Sequence, residues 1–345
     1  MSTRVYFYKK LKIKMGIFEK RVNFKPFEYP ELIEFMKAIR HSYWLEDEWN
    51  FISDIQDYNV NLNDKEKSAV KNAILAISQI EVNVKTFWGD VYKALPKPEV
   101  AAVGYTFAES EVRHSFAYAQ LLEKLNLNEE FEKIGEIPAI QDRIDYLSKY
   151  LKNASDGKEE NYTLTLTLFS LFIEFVSLFS QFLILKSFYK YKNQLKDLNN
   201  TVQATQKEEL IHGFFGAKLI SIIKTEYPDW FNNEFQEKIV RACKKAYKAE
   251  LKILDWIFEE GELDFLSRYE TEEFIKDRFN QALALIEMEP IFTVDKKVTE
   301  KLSWFDDEIY LSTSYDFFNK KSTNYSKRSK SIKKEDIFIC GGTMN

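Results

Sequence analysis

Glycine and proline are both scarce in this chain, ten and seven among 345 residues. So few helix breakers point to long helices joined by short loops. Cysteine is rarer still. Only Cys243 and Cys340 occur, which excludes a disulfide framework and a thiolate zinc site and points to a reducing, cytoplasmic setting. Cys243 falls in a helical pattern and reads as a buried thiol, whereas Cys340 lies in a polar tail. Charge of one sign is also missing. The net charge of −5 is mild and gives no electrostatic case for a nucleic-acid partner. Lysine-rich stretches are interspersed with acids and read as solvated helix faces. The opening MSTRVYFYKKLKIK is basic but holds no apolar run long enough for a secretion signal. Met15 reads as an alternative start. Neither a fixed-period repeat nor a Gly/Ser or Pro linker divides the chain.

What is present in quantity is apolar surface, 45% of all residues, enough to bury a sizeable core. Its periodicity predicts helices at about 30–40, 64–93, 98–125, 129–134, 139–152, 161–190, 196–225, 234–260 and 271–286, with Gly261 ending the eighth. After about Tyr315 the chain turns to Lys, Ser, Asn and Asp, and reads as a flexible tail. The expected organisation is an extension over 1–14, one all-α domain over 15–314 and a tail over 315–345. Between Leu164 and Leu185 the only charge is Glu174. The length suits a membrane span, but a mid-span glutamate is costly in lipid. A helix apolar on all sides is equally the central one of a large helical bundle, and that is the expectation here, with no membrane partner.

Histidine occurs three times, at His41, His114 and His212. Two of these share a pattern: Glu111-Val-Arg-His114 and Glu209-Leu-Ile-His212 are both Glu-x-x-His within a predicted helix. Residues three apart share a helix face, so each motif offers a carboxylate and an imidazole to one point. Either alone reads as a chance pair on a solvated face. Glutamate fills roughly one position in ten, so finding it three before two of three histidines by chance is an event of a few per cent. Two more carboxylates lie in apolar helices ahead of these motifs, Glu81 after AILAISQI and Glu174. Burying either unpaired is expensive, and a metal ion supplies the missing positive charge. Four carboxylates and two imidazoles suit a pair of iron or manganese ions, and the order Glu, ExxH, Glu, ExxH is that of ferritin-like di-metal bundles. His41 has no motif around it and reads as structural or exposed.

The stretches QIEVNVKTFWGDVYKALPKPEV, TFAESEVRHSFAYAQLLEKL, LFIEFVSLFSQF and KEELIHGFFG resemble the metal-binding helices of class I ribonucleotide reductase small subunits. The similarity runs from Met15 to about Ile339. It implies a ferritin-like helical fold with Glu81, Glu111, His114, Glu174, Glu209 and His212 as metal ligands. It also implies an enzyme that makes a one-electron oxidant from an oxygen species and relays it to a cysteine of a large catalytic subunit. By the same resemblance Tyr118 is the radical-bearing tyrosine and Trp44 begins the exit path. Glu208 stands where the family usually carries aspartate, and Tyr325 is the tail tyrosine that bridges to the large subunit. A homodimer is implied, and an activating flavoprotein is a further candidate partner. Glu81 as first ligand with Lys85 one turn on looks like class Id, whose dimanganese centre is itself the oxidant, activated by superoxide. A tyrosyl-radical subclass with iron or manganese is the alternative. So is another ferritin-like di-iron oxidase or desaturase, while iron storage and a metal-free scaffold are more distant readings.

Overall fold

The structure is a computed structural model and describes residues 16–154 and 158–307. No strand occurs among the described residues. The helices are α1 (Ile33–His41), α2 (Ile52–Gln56), α3 (Asp64–Ala94), α4 (Pro98–Lys124), α5 (Asn128–Glu132), α6 (Pro138–Ala154), α7 (Glu159–Thr167), α8 (Leu178–Lys192), α9 (Lys196–Glu226), α10 (Asn233–Ile257), α11 (Arg268–Leu285) and α12 (Lys296–Leu302). A π-helical stretch, Leu168–Ser177, joins α7 to α8, making one rod from Glu159 to Lys192. Helices α3, α4, this rod and α9 carry the six residues of interest.

Local sequence fixes where these helices begin. Helix α3 opens with a capping box, in which Glu66 N–H donates to Asn63 Oδ1 at 3.1 Å and Asn63 N–H donates to Glu66 Oε2 at 3.0 Å. Helix α4 starts on Pro98, whose fixed φ suits a first helical turn. Helix α9 is capped from a distance. Buried Asp54 accepts from the N–H groups of Asp197 and Leu198 at 3.1 and 2.7 Å, and Asp57 accepts from Leu195 N–H at 2.9 Å. These bonds satisfy the free donors of the helix start.

The rod is the most apolar element and is buried by its neighbours. Its most apolar window has a mean hydropathy of 2.0 and lies entirely inside the fold, so protein covers the segment whose length alone suits a membrane span. Helix α9 comes very close to it. A Cβ at Gly216 would overlap the Ser170 side chain, and one at Gly213 would stand 3.1 Å from the Phe175 ring. Glycine is required at this crossing for space. The wider π turns leave rod carbonyls to be satisfied by side chains. Phe175 O accepts from Arg278 Nε and Nη2 at 3.1 and 2.9 Å, and Phe172 O accepts from Ser177 Oγ at 2.9 Å.

Two helix boundaries differ from the sequence expectation. Helix α10 stops at Ile257, and Gly261 (φ +113°) instead closes the next turn, its N–H donating to Phe258 O at 2.9 Å. Helix α11 begins at Arg268 because Ser267 and Glu270 form a second capping box. The π stretch and the short helices α2 and α12 were not expected. Cys243 is buried and His41 is exposed. Cys340 lies outside the described residues.

Candidate metal centre

The six expected ligands come from four elements and converge at one place. Glu81 is on α3, Glu111 and His114 on α4, Glu174 on the π stretch, and Glu209 and His212 on α9. All are essentially fully buried. They form two overlapping groups: Glu81, Glu111, His114 and Glu209, and Glu111, Glu174, Glu209 and His212. Within each group the ligand atoms lie within 4.8 Å of one another. Glu111 and Glu209 belong to both. His114 Nδ1 stands 3.0 Å from Glu209 Oε1, 3.3 Å from Glu111 Oε2 and 3.9 Å from Glu81 Oε1. His212 Nδ1 stands 2.9 Å from Glu111 Oε1 and from Glu174 Oε2, and 3.2 Å from Glu209 Oε2. Each imidazole therefore turns Nδ1 inward and leaves Nε2 for a supporting contact.

Of these approaches, His212 Nδ1 with Glu209 Oε2 at 3.2 Å has hydrogen-bond geometry, but most of the inner atoms do not. Both oxygens of Glu81 and of Glu111, Glu174 Oε2, Glu209 Oε1 and His114 Nδ1 are buried without a hydrogen-bond partner. Protein interiors seldom tolerate one such orphan, at a cost of about 1–3 kcal/mol or more each. Cations seated among them would satisfy all seven. The donor set of carboxylate oxygen and imidazole nitrogen fits two divalent iron or manganese ions, and six ligands with two shared between the groups fit a dinuclear site.

The electrostatics agree. Burial, with the negative charge of Glu111 nearby, holds the Glu81 carboxyl well above the usual carboxylate range. Burial likewise raises Glu174, against the pull of His212. Burial also works to raise Glu111, but His212 and His114 outweigh it and hold that carboxyl low. Both imidazoles are pushed well above their ordinary value. For His114, burial is overcome by the nearby carboxylates of Glu111, Glu208 and Glu209, and for His212 by those of Glu111, Glu174 and Glu209. Without cations the cluster neutralises itself with protons.

The supporting contacts are specific. Glu208 Oε2 lies 2.8 Å from His114 Nε2 and accepts from Trp44 Nε1–H at 3.2 Å. The Trp44 ring stacks on His114, with centroids 5.9 Å apart and planes at 14°. Glutamate in place of the usual aspartate thus still joins Trp44 to His114. Trp88 Nε1–H donates to Glu174 Oε1 at 2.6 Å, and Ser110 Oγ lies 3.1 Å from His212 Nε2. Such partners orient metal ligands.

Tyr118 is fully buried, and its hydroxyl meets Thr205 Oγ1 at 3.5 Å. Burial raises its phenolic pKa further. Lys85 is half-buried. Its Nζ–H₃⁺ donates to the main-chain carbonyl of Glu81 at 2.9 Å and to Ser115 Oγ at 3.1 Å, so it touches the backbone of a ligand residue. Tyr325 lies outside the described residues. Trp88, Ser110, Thr205 and Arg113 were not singled out from sequence. Trp88, Ser110 and Arg113 lie inside the motif stretches, but nothing in their spacing separates them from packing residues.

The family model described as "Ribonucleotide reductase, small chain" matches residues 21–301. The chain belongs to the ribonucleotide reductase small-chain family. A "probable ribonucleoside-diphosphate reductase small subunit" of Invertebrate iridescent virus 3 is 25% identical over 344 residues, covering 95% of this chain and 90% of its own. Among solved structures, a dimanganese(II) NrdF of Streptococcus sanguinis matches with a TM-score of 0.72 at 16% identity. That match covers 83% of this chain and 99% of the other. An R2-like ligand-binding oxidase carrying a Mn/Fe cofactor matches at 0.64 and 17% identity, over 75% and 93%. Both structural likenesses establish the ferritin-like helical fold.

Proposed function

We propose that this chain is the radical-generating small subunit of a class I ribonucleoside-diphosphate reductase. It binds two metal ions through Glu81, Glu111, His114, Glu174, Glu209 and His212. It then passes a one-electron oxidant to a cysteine of a separate large subunit, which reduces ribonucleotides to deoxyribonucleotides. The observation that carries this reading is the pair of overlapping four-residue groups, with Glu111 and Glu209 common to both, and with both oxygens of Glu111 and Oε1 of Glu209 buried and unpartnered. When bound, the metal pair supplies one-electron oxidising power after reaction with an oxygen species.

The protein's own part is to hold the ligands, exclude water and give electrons a way in. Trp88 fixes Glu174, Ser110 contacts His212, and the rings of Trp88 and Phe107 pack against His212, with Phe215 behind them, to exclude water. Trp44, Glu208 and His114 form a hydrogen-bonded link outward from the ligand sphere, and Tyr43, next to Trp44 in sequence, is exposed. That link favours the reductase over the oxidase or desaturase reading, because an oxidase needs access for a substrate rather than an exit for a radical.

Within the family we favour a class Id centre of two manganese ions, activated by superoxide, over a di-iron one. Two observations support this. Lys85 is anchored on the carbonyl of Glu81 and on Ser115. The Tyr118 hydroxyl meets a threonine, which cannot take up the phenolic proton that tyrosine oxidation must release. The residues after about Tyr315, with Tyr325 among them, are assigned to docking on the large subunit. Exposed Tyr105, Val112 and Phe116 on one face of α4, beside exposed Val82 of α3, form an apolar stripe suited to a second copy of the chain. The reading places the protein in the cytoplasm, with an activating flavoprotein as a further candidate partner.

Metal analysis joined to electron paramagnetic resonance of the oxidised protein tests the proposal, together with turnover in the presence of the large subunit. Two manganese ions per chain, a metal-centred signal and turnover are expected. A chain that binds no metal refutes it, and a tyrosyl signal moves it to the tyrosyl-radical subclass.

A further inference from the structure

We propose that Arg113 is the positioning residue that holds Glu208 between Trp44 and His114, so that the route from the metal ligands to the protein surface stays connected. The inference deepens the proposed function and rests on it for the purpose of the route. The geometry itself is independent of that reading.

Glu208 has one more rotatable bond than aspartate, and its Oε2 alone serves both Trp44 Nε1–H and His114 Nε2. That shared oxygen leaves the carboxylate free to swing unless Oε1 is also fixed. Arg113 fixes it, with Nη2–H donating to Glu208 Oε1 at 3.1 Å. The same guanidinium reaches the other end of the route, with Nη1–H donating to the main-chain carbonyl of Trp44 at 3.3 Å. Its third edge is anchored by Nε–H, which lies 3.2 Å from both Glu109 oxygens. Its flat faces meet aromatic rings, 4.5 Å from the centroid of Tyr43 and 5.3 Å from that of Trp44. Arg113 is 3% exposed.

A single rigid fork therefore grips the acid and the main chain of the tryptophan that the acid contacts. Only a planar group with several fixed donors does both at once, and lysine does not. The arrangement also explains how glutamate serves where the family usually has aspartate, since the added freedom is removed by a charged hydrogen bond from the residue next to His114. Arg113 touches neither the ligand cluster's inner atoms nor a reactant, so its influence acts through Glu208 and Trp44.

The test uses the full-length protein with ¹⁵N-labelled tryptophan, metal-free and loaded with redox-silent zinc, as wild type, Arg113→Gln and Arg113→Lys. Trp44→Phe assigns the Trp44 indole resonance. Loss of a charged hydrogen bond is expected to speed exchange of the Trp44 indole proton about tenfold or more in Arg113→Gln. The Trp88 indole, held by Glu174, keeps its resonance and protection, and Arg113→Lys falls between wild type and Arg113→Gln. In the active enzyme with the large subunit, Arg113→Gln is expected to slow radical transfer about tenfold or more at unchanged metal content and unchanged oxidant formation. Unchanged Trp44 exchange in Arg113→Gln overturns the proposal. So does equal loss of protection at Trp44 and Trp88 with a lowered Tm, which marks a merely structural arginine. Failure of the wild type to support turnover refutes the proposed function instead, and leaves the indole result standing on its own.

Discussion

Metal binding to this protein should expel protons, and the structure sets the number. In the metal-free protein near neutral pH, His114 and His212 are held protonated by the surrounding carboxylates. Burial favours the protonated form of Glu81 and Glu174 as well, whereas the imidazoles favour the ionised form of Glu111. Ligands must be deprotonated to bind, so the two imidazolium protons leave, about two per chain for two ions. Overall affinity should therefore rise by about two decades per pH unit around neutrality. Calorimetric titration with Mn(II) in buffers of different ionisation enthalpy reads the proton count directly as a slope. A slope below about one proton per chain would refute the reasoning, because the cluster would then be ionised without metal. The metal-free protein should show the opposite trend in stability. All four groups have folded pKa values above their ordinary 4.5 and 6.5, so the folded state binds more protons than the unfolded one. Its Tm should fall as pH rises above the ordinary carboxyl and then the imidazole range, and continue to fall through the raised folded values. The loaded protein, in contrast, is destabilised on acidification as protons displace metal.

Four further outcomes are expected. Under the proposed metal-centred oxidant, Tyr118→Phe should keep most of the turnover with the large subunit; loss of activity together with a tyrosyl signal in the wild type would favour the tyrosyl subclass. Gly216→Ala should cost about 1–3 kcal/mol in denaturant melts, because its Cβ lands on Ser170, and Ser170→Gly in the same chain should restore much of the loss. Removing the residues after Tyr315 should abolish turnover at unchanged metal content, and unimpaired turnover by the truncated chain would remove their docking role. Phe116→Glu should shift the protein to monomer in analytical ultracentrifugation if the α4 stripe is covered by a second copy, and a persistent dimer would place the interface elsewhere.

The six-residue cluster was legible in sequence because its chemistry leaves a periodic trace. Glu-x-x-His repeats one helix-face spacing, and Glu174 interrupts an otherwise uncharged run. The helix boundaries followed from breakers and caps to within a few residues, except where a cap overrode periodicity at Ser267 or where Gly261 served the turn after α10. The π stretch was not legible, since its cause lies elsewhere: Gly213 and Gly216 of α9 let that helix press on Ser170 and Phe175, and Arg278 of α11 takes the Phe175 carbonyl. Trp88 and Arg113 were equally hidden. An indole aimed at a carboxylate and one packed in a core have the same spacing, and only the three-dimensional neighbours distinguish them. The contact of Glu208 with Trp44 and His114 was implied by family likeness, while its geometry with the longer side chain depended on Arg113.

Why the acids sit in the greasiest part of the molecule follows from the same physics. A carboxylate taken into such surroundings costs several kcal/mol even after relaxation, and four of them share this site. On a solvated face the same residues would be cheap, but water would screen them and compete for any ion. Buried in the apolar rod and its neighbours, they attract cations strongly and admit little else. Helices regular throughout would also space Glu174 differently against α9; the widened π turns carry it to His212, and Trp88 locks it there. The instability of the metal-free cluster and its power to hold two cations are thus one property. A variant that makes the empty site more comfortable at alkaline pH, such as Glu174→Gln, whose amide cannot be forced to ionise there, should raise the metal-free Tm at that pH and lower metal content together. A rise in stability with metal content unchanged would separate the two.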